Sequence, residues 1–253
     1  MQRRFIAFTL LLGLALAGCQ SPKVAPKEEG VRIADDVTVQ SLADDVWVFT
    51  TYFDVPETGR VGANGLVVIS DRAAVLINVP WTDEQTAALF DWIEEKQSAT
   101  VKAVVPTHFH QDCMGGLAEA HRRGATSYGL DKTIALAKRD HLPVPQFSFQ
   151  LRTALHCGTS MVLVTHFGTA HTTDNVVAWL PKQRILFGGC LVKPLDASSL
   201  GNTSDGDLTA FPATLKKVKT AYPSARIVVP GHGDWGGTGL IDHTLKLCKS
   251  RAQ

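Results

Sequence analysis

Donors suited to a transition metal crowd one short run, Thr107-His108-Phe109-His110-Gln111-Asp112, directly after the apolar stretch 101–106. Alternate residues of an extended segment share a face, so the spacing predicts that His108, His110 and Asp112 converge while Phe109 and Gln111 point away. Neutral imidazoles and a carboxylate are ligands that borderline-soft zinc accepts. A single histidine in a polar loop is usually just solvated; three donors in one alternating set at a strand end point to a metal. Three further donors close later apolar runs: His171 in Gly168-Thr169-Ala170-His171-Thr172, Cys190 in Leu186-Phe187-Gly188-Gly189-Cys190, and His232 in Val229-Pro230-Gly231-His232-Gly233. Singly each has an ordinary structural use, a buried cysteine most often serving as a small hydrophobe. Loops at strand ends are nevertheless where sites assemble, and the six donors together suffice for two zinc sites.

The elements that must position these donors are short apolar runs alternating with helical stretches. Residues 37–42, 46–51, 66–70 and 73–79 read as successive strands, the last two divided by the turn residues Ser70-Asp71. Thr82-x-x-Gln85 after Pro80 is a capping box, with Ala88, Leu89, Trp92 and Ile93 following at helical spacing. Another strand covers 101–106, a helix runs over 115–123 to Gly124, and Asp131 is expected to cap the next. Strands at 161–165, 176–180, 184–187 and 227–230, with a helix near 211–221, repeat the theme. Strand-rich halves that each carry helices predict a layered α/β domain, sheets inside and helices outside.

The chain has 253 residues, 45% of them hydrophobic, with 25 basic against 24 acidic side chains. That length and apolar content build a substantial core, while the balanced charge and the lack of a basic stripe argue against nucleic acid as a partner. Residues 1–18 read as a leader: Arg3 and Arg4 precede an uncharged apolar run, 5–17, too short to span a membrane comfortably. Leu16-Ala17-Gly18-Cys19 resembles a bacterial lipobox, which implies acylation of Cys19 and cleavage just before it. Gln20 after that cysteine implies sorting to the outer membrane on its periplasmic side. Residues 19–30, polar and rich in Pro, Lys and Glu, suit a flexible tether to a domain spanning 31–253. Export places Cys113, Cys157, Cys190 and Cys248 in an oxidising compartment; their spacing leaves open whether Cys157 and Cys248 pair.

With these motifs the sequence resembles the metallo-β-lactamase superfamily and, within it, the class B β-lactamases of the broad-spectrum, two-zinc subclass, from about residue 37 to the C-terminus. The resemblance implies a four-layer αββα sandwich, two mixed sheets with helices on the outer faces. It also implies that His108, His110 and His171 hold one zinc and Asp112, Cys190 and His232 the second. Further marks are Cys190-Leu191-Val192-Lys193, Leu200-Gly201-Asn202, His171-Thr172-Thr173-Asp174-Asn175 and Pro80-Trp81-Thr82. Glyoxalase-type and phosphodiesterase-type relatives carry a histidine after the motif aspartate and a bridging aspartate, as does the third lactamase subclass in the former respect. Here those places hold Cys113 and Cys190. The single-zinc subclass has asparagine where this chain has His108.

The activity so implied is hydrolysis of penicillins, cephalosporins and carbapenems by a zinc-bound hydroxide, Asp112 holding the second ion and Asn202 helping to stabilise the oxyanion. Lys193, otherwise a solvated surface lysine, would pair with the substrate carboxylate. Asp174 and Asn175 either orient ligands or close a turn. Residues 52–64 fall where the family has a mobile loop over the substrate, with Phe53, Val55 and Val61 as its apolar contacts. His121, His141, His156, His166 and His243 match no ligand position. Cys113, where arginine is frequent, and Asn78, where aspartate is frequent, each remove a charge beneath the metals and so bear on affinity for the second zinc. A monomer is expected. The rival readings are another hydrolase of this fold, acting on a lactone, thioester or phosphodiester, and a noncatalytic lipoprotein that stores zinc.

Overall fold

A computed structural model describes residues 30–250. The 1–18 leader, Cys19 and all but the last residue of the 19–30 tether lie outside the described residues. The first half of the chain runs β1 (Val31–Ala34), β2 (Val37–Ala43), β3 (Val46–Val55), β4 (Gly59–Ser70), β5 (Ala73–Ile77), α1 (Asp83–Gln97) and β6 (Thr100–Val105), then α2 (Gln111–Met114), α3 (Leu117–Arg122), β7 (Thr126–Leu130), α4 (Asp131–Arg139) and β8 (Phe147–Phe149). The second half runs β9 (Arg152–Cys157), β10 (Ser160–Thr165), β11 (Val177–Leu180), β12 (Ile185–Gly189), α5 (Phe211–Ala221), β13 (Ile227–Pro230) and α6 (Gly239–Ser250).

Strands β1 to β8 form one sheet in sequence order, antiparallel to β5 and parallel from β5 to β8. The other sheet runs β13-β12-β11-β10-β9, with only β12 and β13 parallel. Because successive side chains of a strand face opposite ways, each buried strand feeds two cores. Leu66, Val68, Val75 and Ile77 meet Val162, Val164, Ala178 and Phe187 between the sheets. Val67, Ala74 and Leu76 turn outward onto Leu89, Phe90 and Ile93 of α1 and Leu117 of α3. Val177, Trp179 and Leu186 turn the other way onto Phe211 and Leu215 of α5 and Leu240 and Ile241 of α6. The result is the expected four-layer αββα sandwich with two mixed sheets.

Helix α1 starts as its capping box requires: Thr82 Oγ1 accepts from the Gln85 amide at 3.3 Å, while Gln85 Oε1 reaches back to the amide of Trp81 at 3.1 Å. One expectation about local structure is corrected. Asp131 is the first residue of α4 and not its cap; Leu130 occupies the cap position without a side-chain bond. Residues 52–64, which fall where the family has a mobile loop over the substrate, form the tip of a hairpin, the β3–β4 ladder continuing without a break from Val46↔Val68 to Val55↔Gly59. The turn is confined to 56–58. Cys157 lies in the inter-sheet core, its Sγ 3.0 Å from the Ala73 carbonyl oxygen, whereas Cys248, on α6, packs against the core beyond the second sheet. Both carry free thiols, with a sheet between them.

Candidate metal centre

All six predicted donors meet at one edge of the sandwich, each on a loop that leaves a strand end. Residues 106–110 leave β6, His171 follows β10, Cys190 follows β12, and His232 follows β13. The chain through the histidine motif is not extended: it bends over 107–110 and then enters the single turn of α2, which carries Asp112. His108 and Asp112 therefore approach as an i, i+4 pair, at 3.6 Å, rather than through strand alternation. Asn78 starts the bend. Its left-handed backbone (φ 65) turns the side chain so that Oδ1 accepts from the Thr107 amide at 2.8 Å and Nδ2 donates to the Asn64 carbonyl at 3.2 Å. An amide can do both; an ionised aspartate could only accept.

His108, His110 and His171 form one cluster, with ring centroids 4.6, 4.8 and 5.5 Å apart. His108 Nε2 and His110 Nδ1 are 3.0 Å apart, near the ~3.3 Å that two nitrogens keep on a tetrahedral zinc. The opposite ring nitrogens are held from behind: His108 Nδ1 lies 3.2 Å from Cys113 Sγ, and His110 Nε2 lies 3.1 Å from Asp205 Oδ2. Neither nitrogen of buried His171 has a hydrogen-bond partner among the described residues, a costly state unless an ion takes one of them. Burial drives the His108 pKa down to about 4, so the imidazole stays neutral, the form that binds metal.

The second cluster is tighter and charged. Cys190 Sγ stands 3.2 Å from Asp112 Oδ2 and 3.3 Å from His232 Nε2, and that nitrogen is 3.2 Å from the same carboxylate oxygen. His232 Nδ1 donates to the Gly62 carbonyl at 2.8 Å, which aims Nε2 into the cluster. A hydrogen bond from Cys113 pulls the Cys190 thiol well below its usual pKa, against burial and with help from His232. Burial opposes a proton on His232, yet the Cys190 sulfur and the Asp112 carboxylate outweigh it and hold the imidazole pKa well above normal. Gly231 makes the approach possible, since a Cβ there would sit 2.4 Å from Cys190 Sγ. Thiolate, carboxylate and two sets of imidazoles fit divalent zinc by their chemistry, and the orphaned His171 nitrogens fit it by their surroundings.

A cleft of about 430 Å³ opens over both clusters, with His110, His171, Asp112 and His232 on its floor. Lys193, Asn202, Val55, Val61 and Trp81 also line it. Phe53 stacks on Trp81 at 5.4 Å and so braces the β3–β4 hairpin against the cleft rather than facing it. Lys193 is buried, not solvated; burial lowers its pKa, and the Cys190 and Asp112 charges partly offset this. Asn202 Oδ1 accepts from the Ser204 amide and hydroxyl at 3.0 and 2.9 Å, which fixes the plane of its amide.

Asp174 and Asn175 act away from the donors. Asp174 accepts from Thr133 of α4 at 2.7 Å, and Asn175 closes its own turn, accepting from the Thr172 amide and donating to the Gly168 carbonyl. His121, His166 and His243 bond to Ser127, Asn175 and Ala197, and His141 and His156 face solvent. Two contributors escaped the sequence. Asp205 has no spacing that ties it to His110, 95 residues away. Asn64 bonds the Pro230, Gly231 and Gly233 carbonyls through its side chain and amide, clamping the turn that carries His232.

A family model described as the metallo-beta-lactamase superfamily matches residues 58–232. The chain is 42% identical over 226 residues to the type 2 metallo-beta-lactamase of Bacteroides fragilis, covering 89% of this chain and 91% of that protein. It is 35% identical over 229 residues to the type 2 metallo-beta-lactamase of Bacillus cereus, covering 90% of this chain and 86% of that protein. Among solved structures, a metallo-beta-lactamase from Pontibacter korlensis superposes with a TM-score of 0.81 at 39% identity, covering 84% of this chain and 99% of that one.

Proposed function

The chain belongs to the metallo-β-lactamase superfamily, and from that premise we propose that it hydrolyses the amide bond of β-lactam antibiotics, penicillins, cephalosporins and carbapenems, and so confers resistance to them. The observation that carries the reading is two abutting donor clusters on the floor of one cleft whose wall holds a buried lysine cation. His108, His110 and His171 would hold one zinc, and Asp112, Cys190 and His232 a second. Bound there, the ions would supply a Lewis acid and a water acidified towards neutrality. Lys193 would bind the carboxylate common to these antibiotics, the attraction between the two charges strengthened by the low dielectric of a buried site. Asn202, its amide plane fixed through Ser204, would donate to the carbonyl oxygen as charge develops on it. Val55, Val61 and Trp81 would cover the apolar substituents and exclude water.

The test is hydrolysis of a penicillin, a chromogenic cephalosporin and a carbapenem by the purified protein, repeated with a chelator and again with zinc restored. Turnover lost with chelator and regained with zinc is the expected result. Inertness towards all three antibiotic classes together with activity on a lactone or thioester would overturn the substrate assignment. Zinc binding with no turnover of any kind would overturn catalysis itself. The Lys193→Ala change should raise KM about tenfold with little effect on kcat, as loss of binding shared equally by ground and transition states does.

The same reading extends to location. Leu16-Ala17-Gly18-Cys19 with Gln20 supports a lipid-anchored periplasmic protein at the outer membrane, its leader 1–18 removed, its tether 19–30 free and its domain 31–253 acting as a monomer. Cys19→Ser should move the protein from the membrane fraction to the soluble one and abolish labelling by radioactive fatty acid. Unchanged fractionation would refute the anchor.

A further inference from the structure

Two cysteines meet where the donor clusters touch. Cys113 of α2 and Cys190 beyond β12 are both fully enclosed, and their sulfurs lie within 4.8 Å of each other and of donor atoms of His108 and Asp112. Thr107 Oγ1 lies 3.5 Å and His108 Nδ1 3.2 Å from the Cys113 sulfur. A disulfide needs about 2.05 Å between sulfurs, so at most about 3 Å must be closed, within reach of side-chain rotation at both residues. The other described thiols have no such neighbour, since Cys157 and Cys248 lie on opposite faces of the second sheet. Asp112 and His232, which flank Cys190, line the cleft and give a small oxidant its way in.

We propose that Cys113 and Cys190 close into a reversible disulfide when the centre is stripped of metal and meets a peroxide, and that this bond blocks reloading of the second cluster. The Cys190 sulfur attacks one peroxide oxygen, the O–O bond breaks, and the departing oxygen leaves as water. Cys190 is then a sulfenic acid. The Cys113 sulfur attacks the Cys190 sulfur, the S–S bond forms, and the sulfenic oxygen leaves as a second water with the Cys113 proton. Two thiols lose two electrons and two protons; one hydrogen peroxide becomes two waters. A metal ion on the Cys190 sulfur would engage the lone pair that attacks, so the loaded protein is protected. Cys113 acts as the resolving thiol that keeps Cys190 from irreversible oxidation. This inference needs only the two thiols and stands independently of which substrate is hydrolysed.

The experiment strips the full chain with dipicolinate, treats it with equimolar hydrogen peroxide at low protein concentration, alkylates it under denaturing conditions and maps the peptides by mass. The Cys113 and Cys190 peptides should emerge linked, with two alkylatable thiols lost relative to the untreated protein. Dithiothreitol should restore both thiols and the lost zinc uptake, read with a chromophoric chelator. Zinc-loaded protein should keep both thiols. Cys113→Ser given a severalfold molar excess of hydrogen peroxide should leave Cys190 as a sulfinic or sulfonic acid that dithiothreitol does not rescue, each step past the sulfenic acid consuming one more peroxide. Alkylation of both cysteines after peroxide, a linkage to Cys157 or Cys248, an intermolecular dimer, or Cys190 over-oxidised in the parent chain would each overturn the proposal. The parent's peptide map decides even if the variant does not fold.

Discussion

The two donor clusters sit side by side and share His108–Asp112 contact, yet they solve opposite problems. The histidine cluster is made of rings, and the proton-poor state of His108 is imposed chiefly by burial, with the neighbouring rings of His171 and His110 adding to it. Two of its rings are aimed by groups behind them, Cys113 and Asp205. The Asp112/Cys190/His232 cluster is held together by mutual attraction, with a proton favoured on His232 between an anionic sulfur and a carboxylate. An ion entering the first finds His108 ready, whereas an ion entering the second must displace a proton and break three contacts of 3.2–3.3 Å. The second site is therefore expected to fill later, and more steeply with rising pH.

The comparison breaks most sharply under ligand removal. Cys190→Ala and His110→Ala should each lower turnover by at least on the order of 100-fold, beyond the ~10–100-fold that changes behind a ligand cost, with circular dichroism unchanged. Zinc stoichiometry should show which cluster was emptied, and equal loss of both ions from either variant would mean that the clusters are not separable. Gly231→Ala acts on the second cluster only, because the new Cβ overlaps Cys190 Sγ and the Cys190 amide nitrogen at 2.4 and 2.6 Å. It should cost about 2–3 kcal/mol in urea unfolding and remove one ion while the other is retained.

The pH dependence sharpens the contrast. With His108 at about 4 in the fold and about 6.5 unfolded, the unfolded chain binds the extra proton between those values. The stability from keeping this ring neutral is whole above pH 6.5 and drains away as pH falls towards 4. Metal-stripped protein should lose about 2 kcal/mol more between pH 7 and pH 5 than its His108→Asn variant does, a difference that cancels the opposite trend of His232. Identical losses would show that burial does not hold His108 neutral. The smallest effect belongs to Asp205→Asn, which keeps an acceptor for His110 Nε2 but removes its charge. Affinity for the first ion should fall about tenfold, with uptake by the second cluster unaltered in a competition titration.

What the residues alone determined was the kind of chemistry and the frame that carries it. Apolar runs of strand length ending at His108, His171, Cys190 and His232 are readable because strand burial and donor chemistry are both local properties. The layered order of sheets and helices follows from the same periodicities, and the capping box at Thr82 is visible in four residues. Other features became legible only in three dimensions. The tip of the β3–β4 hairpin shows its strands only in the ladder to Gly59, because its outer halves are polar. The bend through 107–110 replaces an expected extended run, because Asn78 seizes the Thr107 amide from another strand end. Asp205 behind His110, Asn64 beneath His232 and Cys113 against Cys190 are contacts between segments far apart in the chain. Sequence spacing encodes which side chains one element presents. Which segments face one another is fixed by how the sheets pack, and that packing sets the tautomers, the protons and the neighbour of each sulfur.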